Sequence, residues 1–346
     1  MRDNLLKPDI HAILRCFPAD CNPSYVEPLG NAGGMSGAHF WRIAAPRGPL
    51  ALRRWPREHP TLGRLRFIHA VLNHAANGGI SLLPIPIAAN DGRLAIEHDG
   101  HLWELTPWMP GVADYENFPN VEKLRAAMVV LAAFHNATSN FITVRVAGQT
   151  TAITRRLARL QQLAAQEIPE LSRAISSSAW PEVTDLARQF VAVVPRAAPR
   201  AIAQLKPLVD APLPLLPCIR DVWHDHVLFT GNEVTGLIDF GALDIDTPAT
   251  DIARLLGSLF PISPPRSAEG RIAHDAWQEG LAAYSTIRPL SKHETDAVFA
   301  LDAAGTLLAG CNWLRWFYID RRSFENRVQV VERFRRITNR ATAFAT

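Results

Sequence analysis

Hydrophobic and polar residues follow two different rhythms along the 346 residues of the chain. Before residue 106 the pattern is mostly that of strands, with short apolar runs interrupted by glycine and proline. Helical spacing of apolar residues predicts a short helix over 4–17 and a longer one from Leu62 to Asn77. The runs predict strands near 25–29, 38–45, 49–55, 84–89 and 93–105, the last two joined by a turn at Asn90-Asp91-Gly92. The pattern therefore indicates a five-stranded sheet with one inserted helix.

From residue 106 onward the apolar residues recur mostly at helical spacing. The predicted helices lie at about 121–137, 150–166, 183–205, 248–260, 268–286, 292–318 and 323–343. A chain of 346 residues is also long enough for its core to split. We therefore predict an α+β protein with a small mixed lobe over 1–105 and a larger helical lobe over 106–346.

One short β-hairpin interrupts the helical half of the chain. Two apolar runs, 227–229 and 234–238, are joined by Thr230-Gly231-Asn232-Glu233, whose Gly-Asn pair is a hairpin turn signal. The outer ends of a hairpin lie roughly 5 Å apart, one strand spacing. Asp221 lies shortly before the first strand and Asp239 directly follows the second. The hairpin is therefore expected to gather acidic residues.

Paired carboxylates of this kind are suited to phosphate chemistry. Mg²⁺ prefers one or two carboxylates together with water and substrate phosphates, and a second carboxylate can act as a base towards a hydroxyl. The alternative is that these aspartates form turns or cap helices, as Asp often does. We keep that structural interpretation for Asp246 and Asp251 and favour the chemical one for Asp221 and Asp239.

The stretch 219–251 resembles the catalytic segment of the aminoglycoside phosphotransferase and choline kinase-like superfamily. That family's order is His-Gly-Asp-Leu-His-Pro-Gly-Asn-Val-Leu, a hairpin, Ile-Asp-Phe-Gly and then Asp-Pro-x-x-Asp-Leu-Ala. Anchored on the hairpin, the family's catalytic Asp falls on Asp221, its metal-binding Asn on His226 and its metal-binding Asp on Asp239. The resemblance implies a protein kinase-like fold, with a small lobe of five antiparallel strands plus a helix that binds nucleotide.

The same resemblance implies an ATP-dependent transfer of phosphate, with Mg²⁺ or Mn²⁺ as the metal ion. Asp221 would be the base, and Asp239 with His226 would hold the metal, although Asp225 is an alternative to His226. In the small lobe Arg53 takes the place of the family's third-strand lysine, and the helix 62–77 offers no carboxylate to orient it. The remaining nucleotide-binding candidates are Gly33, Gly34, Ser36 and Gly37 of a glycine-rich loop, and Glu104, Leu105 and Thr106 of the hinge that follows.

The acceptor is expected in the helical lobe, which in this family carries the catalytic loop and the acceptor site. Its candidate wall residues are Trp223, His224, Asp244, Trp313, Trp316 and Asp320. Few acidic residues are among them, so a polycationic aminoglycoside is not the preferred acceptor. A small hydroxyl compound such as a sugar, an amino alcohol or a homoserine-like metabolite is expected instead. The alternative is a catalytically impaired relative, a pseudokinase that binds nucleotide or a small ligand.

Composition narrows the function further. A net charge of +3, from 36 basic and 33 acidic residues, is too small for a nucleic-acid-binding surface. Only four of the basic residues are lysine, and none follows a glycine, which excludes a Walker-type phosphate loop. No apolar run reaches about 18 residues and the N-terminus lacks a signal-peptide pattern, so we expect a cytoplasmic protein without a membrane partner. The four cysteines have no metal-binding spacing and are expected to be buried.

Overall fold

The computed structural model describes residues 10–31, 37–141, 150–175, 181–259, 269–322, 324 and 327–345. Two units make up the chain. The first combines Met1–Phe141 with His224–Leu243, and the second combines Ile142–Trp223 with Asp244–Thr346. We therefore describe each unit in turn.

An antiparallel sheet of five strands forms the centre of the first unit, in the order β1-β2-β3-β5-β4. Its inward positions alternate along the strands and are filled by apolar residues, with Ile43 and Leu52 fully buried. The short helix α1 packs its buried Leu14 into the same cluster. The elements are α1 (Ile10–Leu14), β1 (Tyr25–Gly30), β2 (His39–Ala45), β3 (Gly48–Arg54), β4 (Ile96–His98) and β5 (His101–Pro107).

Helix α2 (Leu62–Asn77) has the bounds that the apolar spacing predicts. The side chain of Thr61 caps its N-terminus by accepting a hydrogen bond from the Arg64 backbone N–H. Its buried face includes Leu65 and Val71, which are fully buried. The predicted helix over 4–17 begins outside the described residues, and its described part is helical only over α1.

The predicted strand at 84–89 is wrong. Pro84 and Pro86 have no N–H to donate to a ladder, and the segment bonds to β5 through one contact, from the Ile87 N–H to the Leu105 carbonyl at 2.8 Å. The predicted strand at 93–105 is instead a hairpin, because Asp99 and Gly100 both have positive φ and turn the chain between β4 and β5. The sheet still has five strands, since this hairpin supplies the fourth and the fifth.

The catalytic-segment hairpin belongs to the first unit. Strands β7 (Val227–Thr230) and β8 (Glu233–Leu237) are joined to the segment after β5 by a bridge between Val112 and Phe229. Gly111, at φ 92°, permits this approach, because a Cβ there would lie 2.3 Å from the Thr235 hydroxyl. Helix α3 (Val121–Thr138) packs on β8. The first unit therefore extends beyond the predicted boundary after residue 105, because the hairpin, although later in the chain, packs on α3 and on the segment after β5.

The second unit is mostly helical. Its long helices α6 and α9 approach closely at Gly310, where a Cβ would lie 2.2 Å from the Phe190 ring. Strands β6 and β9 pair antiparallel in a small ladder, with Cys218 opposite Asp244. The helices are α4 (Thr151–Gln162), α5 (Ile168–Ala174), α6 (Pro181–Leu205), α7 (Ala249–Leu256), α8 (Glu269–Ser285), α9 (Lys292–Leu314) and α10 (Arg327–Ala345), and the strands are β6 (Leu216–Cys218) and β9 (Asp244–Asp246).

Two helices continue into a wider π turn. Helix α4 passes into Leu163–Glu167, after which α5 follows as a separate helix that the sequence pattern does not predict. Helix α9 passes into Arg315–Ile319. The continuous stretch Lys292–Ile319 is long and apolar enough to span a membrane, but 72% of its apolar window is buried inside the protein. Burial of this kind is typical of the core helix of a soluble protein.

Candidate active site

Arg53 and Asp239 form an ion pair within the first unit. Arg53 lies near the end of β3, and Asp239 lies shortly after β8, the second strand of the hairpin. The two terminal nitrogens of Arg53 are 3.3 and 3.4 Å from Oδ1 of Asp239. The Asp239 side chain is 43% exposed, whereas that of Arg53 is only 11% exposed. Asp239 has φ 60°, a left-handed conformation that Asp tolerates better than most residues. Two residues predicted from the sequence for phosphate and metal binding are therefore in contact.

The Arg53 guanidinium is held by aromatic rings as well as by charge. Its central carbon lies 3.3 Å from the ring centroid of Trp55 and 5.0 Å from that of Phe40. Burial lowers the pKa of Arg53, while the nearby carboxylates of Asp239 and Glu104 act in the opposite direction. Among the described residues, its buried Nε atom has no hydrogen-bond partner. The guanidinium is therefore held by the two rings and by Asp239, and its Nε–H group is still available to donate a hydrogen bond.

His226 lies on the other side of the Asp239 carboxylate. Its Nε2 atom is 3.8 Å from Oδ2 of Asp239, the oxygen that Arg53 does not contact. A divalent ion bonds its ligand atoms at about 2.1 Å, so two ligands up to roughly 4.2 Å apart can share one ion. An imidazole nitrogen and a carboxylate oxygen are both suitable ligands. Neighbouring ligands of an octahedral ion lie about 3 Å apart, so these two residues fit a shared metal ion after a small movement towards each other.

The hinge strand carries a buried hydrogen-bonded pair of its own. Oε2 of Glu104 on β5 lies 2.8 Å from Nε2 of His69 on α2, and both side chains are buried. Glu104 stands opposite Arg53 in the β3–β5 register. The Glu104 charge acts against the effect of burial on the Arg53 pKa, while the hydrogen-bond partner of Glu104 is the histidine on α2. The Glu104 side chain is engaged in this pair, and its role in nucleotide binding stays a prediction.

For the other predicted nucleotide-binding residues, the structure gives backbone contacts and backbone conformation. The Leu105 carbonyl accepts the Ile87 N–H, and Thr106 pairs with Ala51 in the sheet. Gly37 has φ 76°, as a tight turn at the end of a glycine-rich loop requires. Three predicted loop residues lie outside the described residues, namely Gly33, Gly34 and Ser36.

In the second unit Asp221 is held by an arginine. Oδ1 of Asp221 accepts hydrogen bonds from Nε and Nη2 of Arg254 on α7, at 3.1 and 2.9 Å. Both side chains are about half exposed, at 56% for Asp221 and 45% for Arg254. The predicted base is thus accessible from solvent, and one cation orients its carboxylate.

Asp251 fixes the loop that presents Asp221. Its two carboxylate oxygens accept the backbone N–H groups of Ile219 and Arg220, each at 2.6 Å. Arg220 has φ 68°, an unfavourable conformation for a long side chain, and such a residue persists only where its surroundings hold it. The buried Asp251 therefore has a structural role at the start of α7, as the sequence interpretation has it.

The predicted acceptor-wall residues are divided between the two units. Trp223 lies between two arginines, with the guanidinium carbons of Arg333 and Arg254 at 3.9 and 5.7 Å from its ring centroid. Asp244 forms an ion pair with Arg220 at 3.1 Å in the same unit. His224 belongs instead to the first unit, where Nδ1 is 2.9 Å from Asp225.

Trp313 and Trp316, the two predicted wall residues around the end of α9, lie in an aromatic cluster. Trp313 is buried and lies 5.0 Å from Trp316, centroid to centroid, and 5.5 Å from Phe317. Phe324 completes this aromatic cluster. Asp320, the last predicted wall residue, lies 3.9 Å from Arg322 across an exposed ion pair.

Sequence reasoning overlooked three residues that contact the predicted ones. His69 has the only clear signal, since a histidine on the buried face of a helix needs a polar partner. Arg254 lies on the exposed side of α7, one turn after Asp251, so helical spacing alone brings it near the same loop. Arg333 lies 79 residues further along the chain than Arg254, and no local pattern connects the two.

Comparison with known proteins decides the family. The sequence model of the phosphotransferase enzyme family matches residues 29–290, about three quarters of the chain. The chain belongs to this family. The predicted resemblance is therefore confirmed, and the protein is a small-molecule kinase with a hydroxyl group as phosphate acceptor. Use of ATP follows from membership of the phosphotransferase family.

Curated relatives of this phosphotransferase include two bacterial homoserine kinases. That of Agrobacterium fabrum is 24% identical over 278 residues, which cover 80% of this chain and 76% of the relative. That of Brucella anthropi is 27% identical over 237 residues, covering 68% of this chain and 63% of the relative. Among solved structures, an aminoglycoside phosphotransferase from Alicyclobacillus acidocaldarius matches with a TM-score of 0.66 at 17% identity, covering 99% of this chain and 96% of that one. The structural likeness confirms the predicted kinase-like α+β fold.

Proposed function

We propose that the protein transfers the γ-phosphate of ATP to the hydroxyl group of a homoserine-like amino acid. The names of the curated relatives favour this acceptor over a sugar or an aminoglycoside. The observation that carries the proposal is the group formed by Arg53, Asp239 and His226, which joins a buried cation to a carboxylate and an imidazole. Phosphate transfer needs such a combination, because the reaction depends on charge stabilisation and positioning.

Asp221 is proposed as the base. Its carboxylate accepts the proton of the acceptor hydroxyl as the oxygen attacks the γ-phosphorus, and the bond from that phosphorus to the bridging oxygen of ADP breaks. Exposure of the Asp221 side chain supports access by an acceptor. Arg254 orients the carboxylate through two hydrogen bonds to one oxygen, which leaves the other oxygen for the hydroxyl.

Asp239 and His226 are proposed to hold a Mg²⁺ or Mn²⁺ ion, with Asp225 as the alternative to His226. Such an ion would neutralise the charge of the nucleotide phosphates. Arg53 would bind a phosphate oxygen through its remaining N–H donors, and its stacking on Trp55 keeps the guanidinium plane fixed. Backbone groups of Leu105 and Thr106 remain the proposed contacts of the adenine base.

The test is phosphate transfer by purified protein. With ATP and MgCl₂, we expect ADP release that depends on the acceptor and a phosphorylated product in the mass spectrum, from a panel of homoserine, choline and a simple sugar. Asp221→Asn should lower kcat by at least about 100-fold, the usual effect of losing a general base. Asp239→Asn should lower the metal-dependent affinity for ATP in calorimetry.

Asp185→Asn is the matched control and should leave the rate unchanged, because Asp185 is an 81% exposed residue of α6 whose ion-pair partner in the described part of the chain is Arg188. Binding of ATP with metal but no transfer to any acceptor would favour the alternative, a pseudokinase. Absence of metal-dependent nucleotide binding would overturn both. Unchanged transfer in Asp221→Asn would remove Asp221 as the base.

A further inference from the structure

The Asp239 carboxylate lies between a cation and a metal-ligating side chain. Nη1 and Nη2 of Arg53 are 3.4 and 3.3 Å from Oδ1 of Asp239, and Nε2 of His226 is 3.8 Å from Oδ2. A divalent ion held by Asp239 and His226 therefore has to share this carboxylate with a guanidinium. The two cations repel each other, and the repulsion is strong where little water screens them. The Arg53 side chain is only 11% exposed, so its charge is screened poorly.

Aromatic packing keeps the Arg53 guanidinium beside Asp239. Its central carbon lies 3.3 Å from the ring centroid of Trp55 and 5.0 Å from that of Phe40. The buried Trp55 ring also lies against the loop that carries Asp239. A Cβ added to Gly241 would be 3.1 Å from Cη2 of Trp55 and 3.4 Å from Oδ1 of Asp239. Movement of the guanidinium away from the carboxylate therefore gives up its stacking on Trp55.

The hydrogen bonds between Arg53 and Asp239 leave room for a stronger anionic partner. Both terminal nitrogens donate to one oxygen, at distances longer than the about 2.7–2.9 Å of a strong charge-assisted hydrogen bond. In the part of the chain that the structure describes, the buried Nε atom of Arg53 has no hydrogen-bond partner. A phosphate group offers several charged oxygens that a guanidinium fork binds in pairs. Nucleotide phosphates are therefore suited to compete with Asp239 for Arg53.

We propose that Arg53 keeps free divalent ions out of the site formed by Asp239 and His226 until a nucleotide is bound. The inference rests on the proposed function and concerns the regulation of the same site. Without nucleotide, Arg53 neutralises the Asp239 carboxylate and repels a second cation. Once phosphate oxygens accept the Arg53 donors and add their own negative charge, Asp239 is able to hold a metal ion. The two ligands are then coupled, and the coupling is reciprocal.

The decisive experiment measures the binding of Mn²⁺ alone, without nucleotide, by calorimetry. The wild-type protein should bind the ion weakly. Arg53→Gln keeps most of the side-chain length but has no charge, so it should bind Mn²⁺ at least about tenfold more tightly. The same variant should bind ATP more weakly than the wild type. These opposite changes are the readout, because general damage to the fold weakens the binding of both ligands.

Two further variants locate the effect. Adding Asp239→Asn to Arg53→Gln should abolish the gain in Mn²⁺ affinity, because the carboxylate that holds the ion is then absent. Arg54→Gln is the matched control, since Arg54 is the next residue of β3 and points to the opposite face. Its guanidinium carbon lies 5.8 Å from the ring centroid of Trp103. Its affinities for Mn²⁺ and for ATP should both equal those of the wild type.

A second measurement needs only the wild-type protein. A ligand that binds the folded state raises the Tm, so thermal unfolding reports whether the site is occupied. Mn²⁺ alone should leave the Tm unchanged, whereas Mn²⁺ together with the ATP analogue AMP-PNP should raise it beyond the value with the analogue alone. A rise with Mn²⁺ alone as large as with both ligands, or no gain in Mn²⁺ affinity in Arg53→Gln, would overturn the inference. If no acceptor is phosphorylated but Mn²⁺ binds as described, the proposed function fails and the role of Arg53 stands.

Discussion

At the scale of single residues, the departures from the family pattern are compensated by other side chains. Arg53 replaces a lysine, and its counter-charge comes from Asp239 and from Glu104 on the adjacent strand. Trp55 covers one face of the guanidinium. A compact ammonium group has no such plane to stack. The substitution is therefore accompanied by a set of side chains that hold the guanidinium, and this set is the proposed phosphate site.

This arrangement predicts that lysine does not replace Arg53. Arg53→Ala should weaken metal-dependent ATP binding at least about tenfold, because it removes a charge-assisted contact to phosphate. Arg53→Lys should recover only a small part of this loss. The ammonium is compact and has no plane, so it does not replace the guanidinium against both Asp239 and the Trp55 ring. Calorimetry with ATP and Mg²⁺ measures both effects.

Arg54→Lys is the matched control, because the next residue of the strand points to the opposite face and stacks on Trp103 instead. Its ATP affinity should equal that of the wild type. An Arg53→Lys protein with full affinity would show that the stacked plane has no part in binding.

At the scale of elements, α7 acts on the Asp221 loop from its first turn. Asp251 accepts two backbone N–H groups of that loop, and Arg254, three residues later on the same helix, contacts Asp221. Helical spacing places both residues towards one side. One short helix therefore fixes the backbone before Asp221 and the direction of its carboxylate.

Asp251→Asn tests this link. The amide offers one acceptor oxygen for two N–H groups, so we expect the free energy of unfolding to fall by about 1–3 kcal/mol in urea denaturation. The kcat should fall at least tenfold, a factor of about 1.4 kcal/mol in the barrier, with a much smaller change in the KM for ATP. If the Asp221 loop kept its position in Asp251→Asn, the free energy of unfolding would fall while kcat stayed close to that of the wild type.

Asp296→Asn provides the comparison for Asp251→Asn. Asp296 forms an exposed pair with Lys292 one turn earlier on α9, and such pairs contribute less than about 1 kcal/mol. Its kinetics and its unfolding curve should match those of the wild type. Wild-type kcat in Asp251→Asn would contradict the role given to α7.

At the scale of the whole molecule, the sequence predicts local elements better than their partners. Helix α2 and the hairpin β7–β8 follow from periodicity and turn residues that act over a few positions. The fourth strand is misplaced because the prolines at 84 and 86 rule out a ladder that apolar content alone suggests. Motif spacing finds Asp221 and Asp239, while Arg333, which stacks on Trp223, is found only through a tertiary contact.

The four cysteines report on the folding of both units. Cys21 lies in the first unit, and Cys218 and Cys311 lie in the second; all three are buried, whereas Cys16 is partly exposed. Burial raises the pKa of Cys21 and of Cys218, and it raises the pKa of Cys311 to about 12. The thiolate is the reactive form, so these three thiols should be inert in the native protein at pH 8.

Titration with a thiol reagent such as dithionitrobenzoate should therefore detect one fast thiol in the native protein and four in guanidinium chloride. Cys16→Ser should abolish the fast reaction and leave three thiols that react on unfolding. Because a raised thiol pKa keeps the proton bound in the native state, raising the pH above about 9 should favour the unfolded thiolates and expose the buried cysteines sooner. Fast native reaction of Cys311 at pH 8 would show that the packing between α9 and its neighbouring helices is not as tight as described.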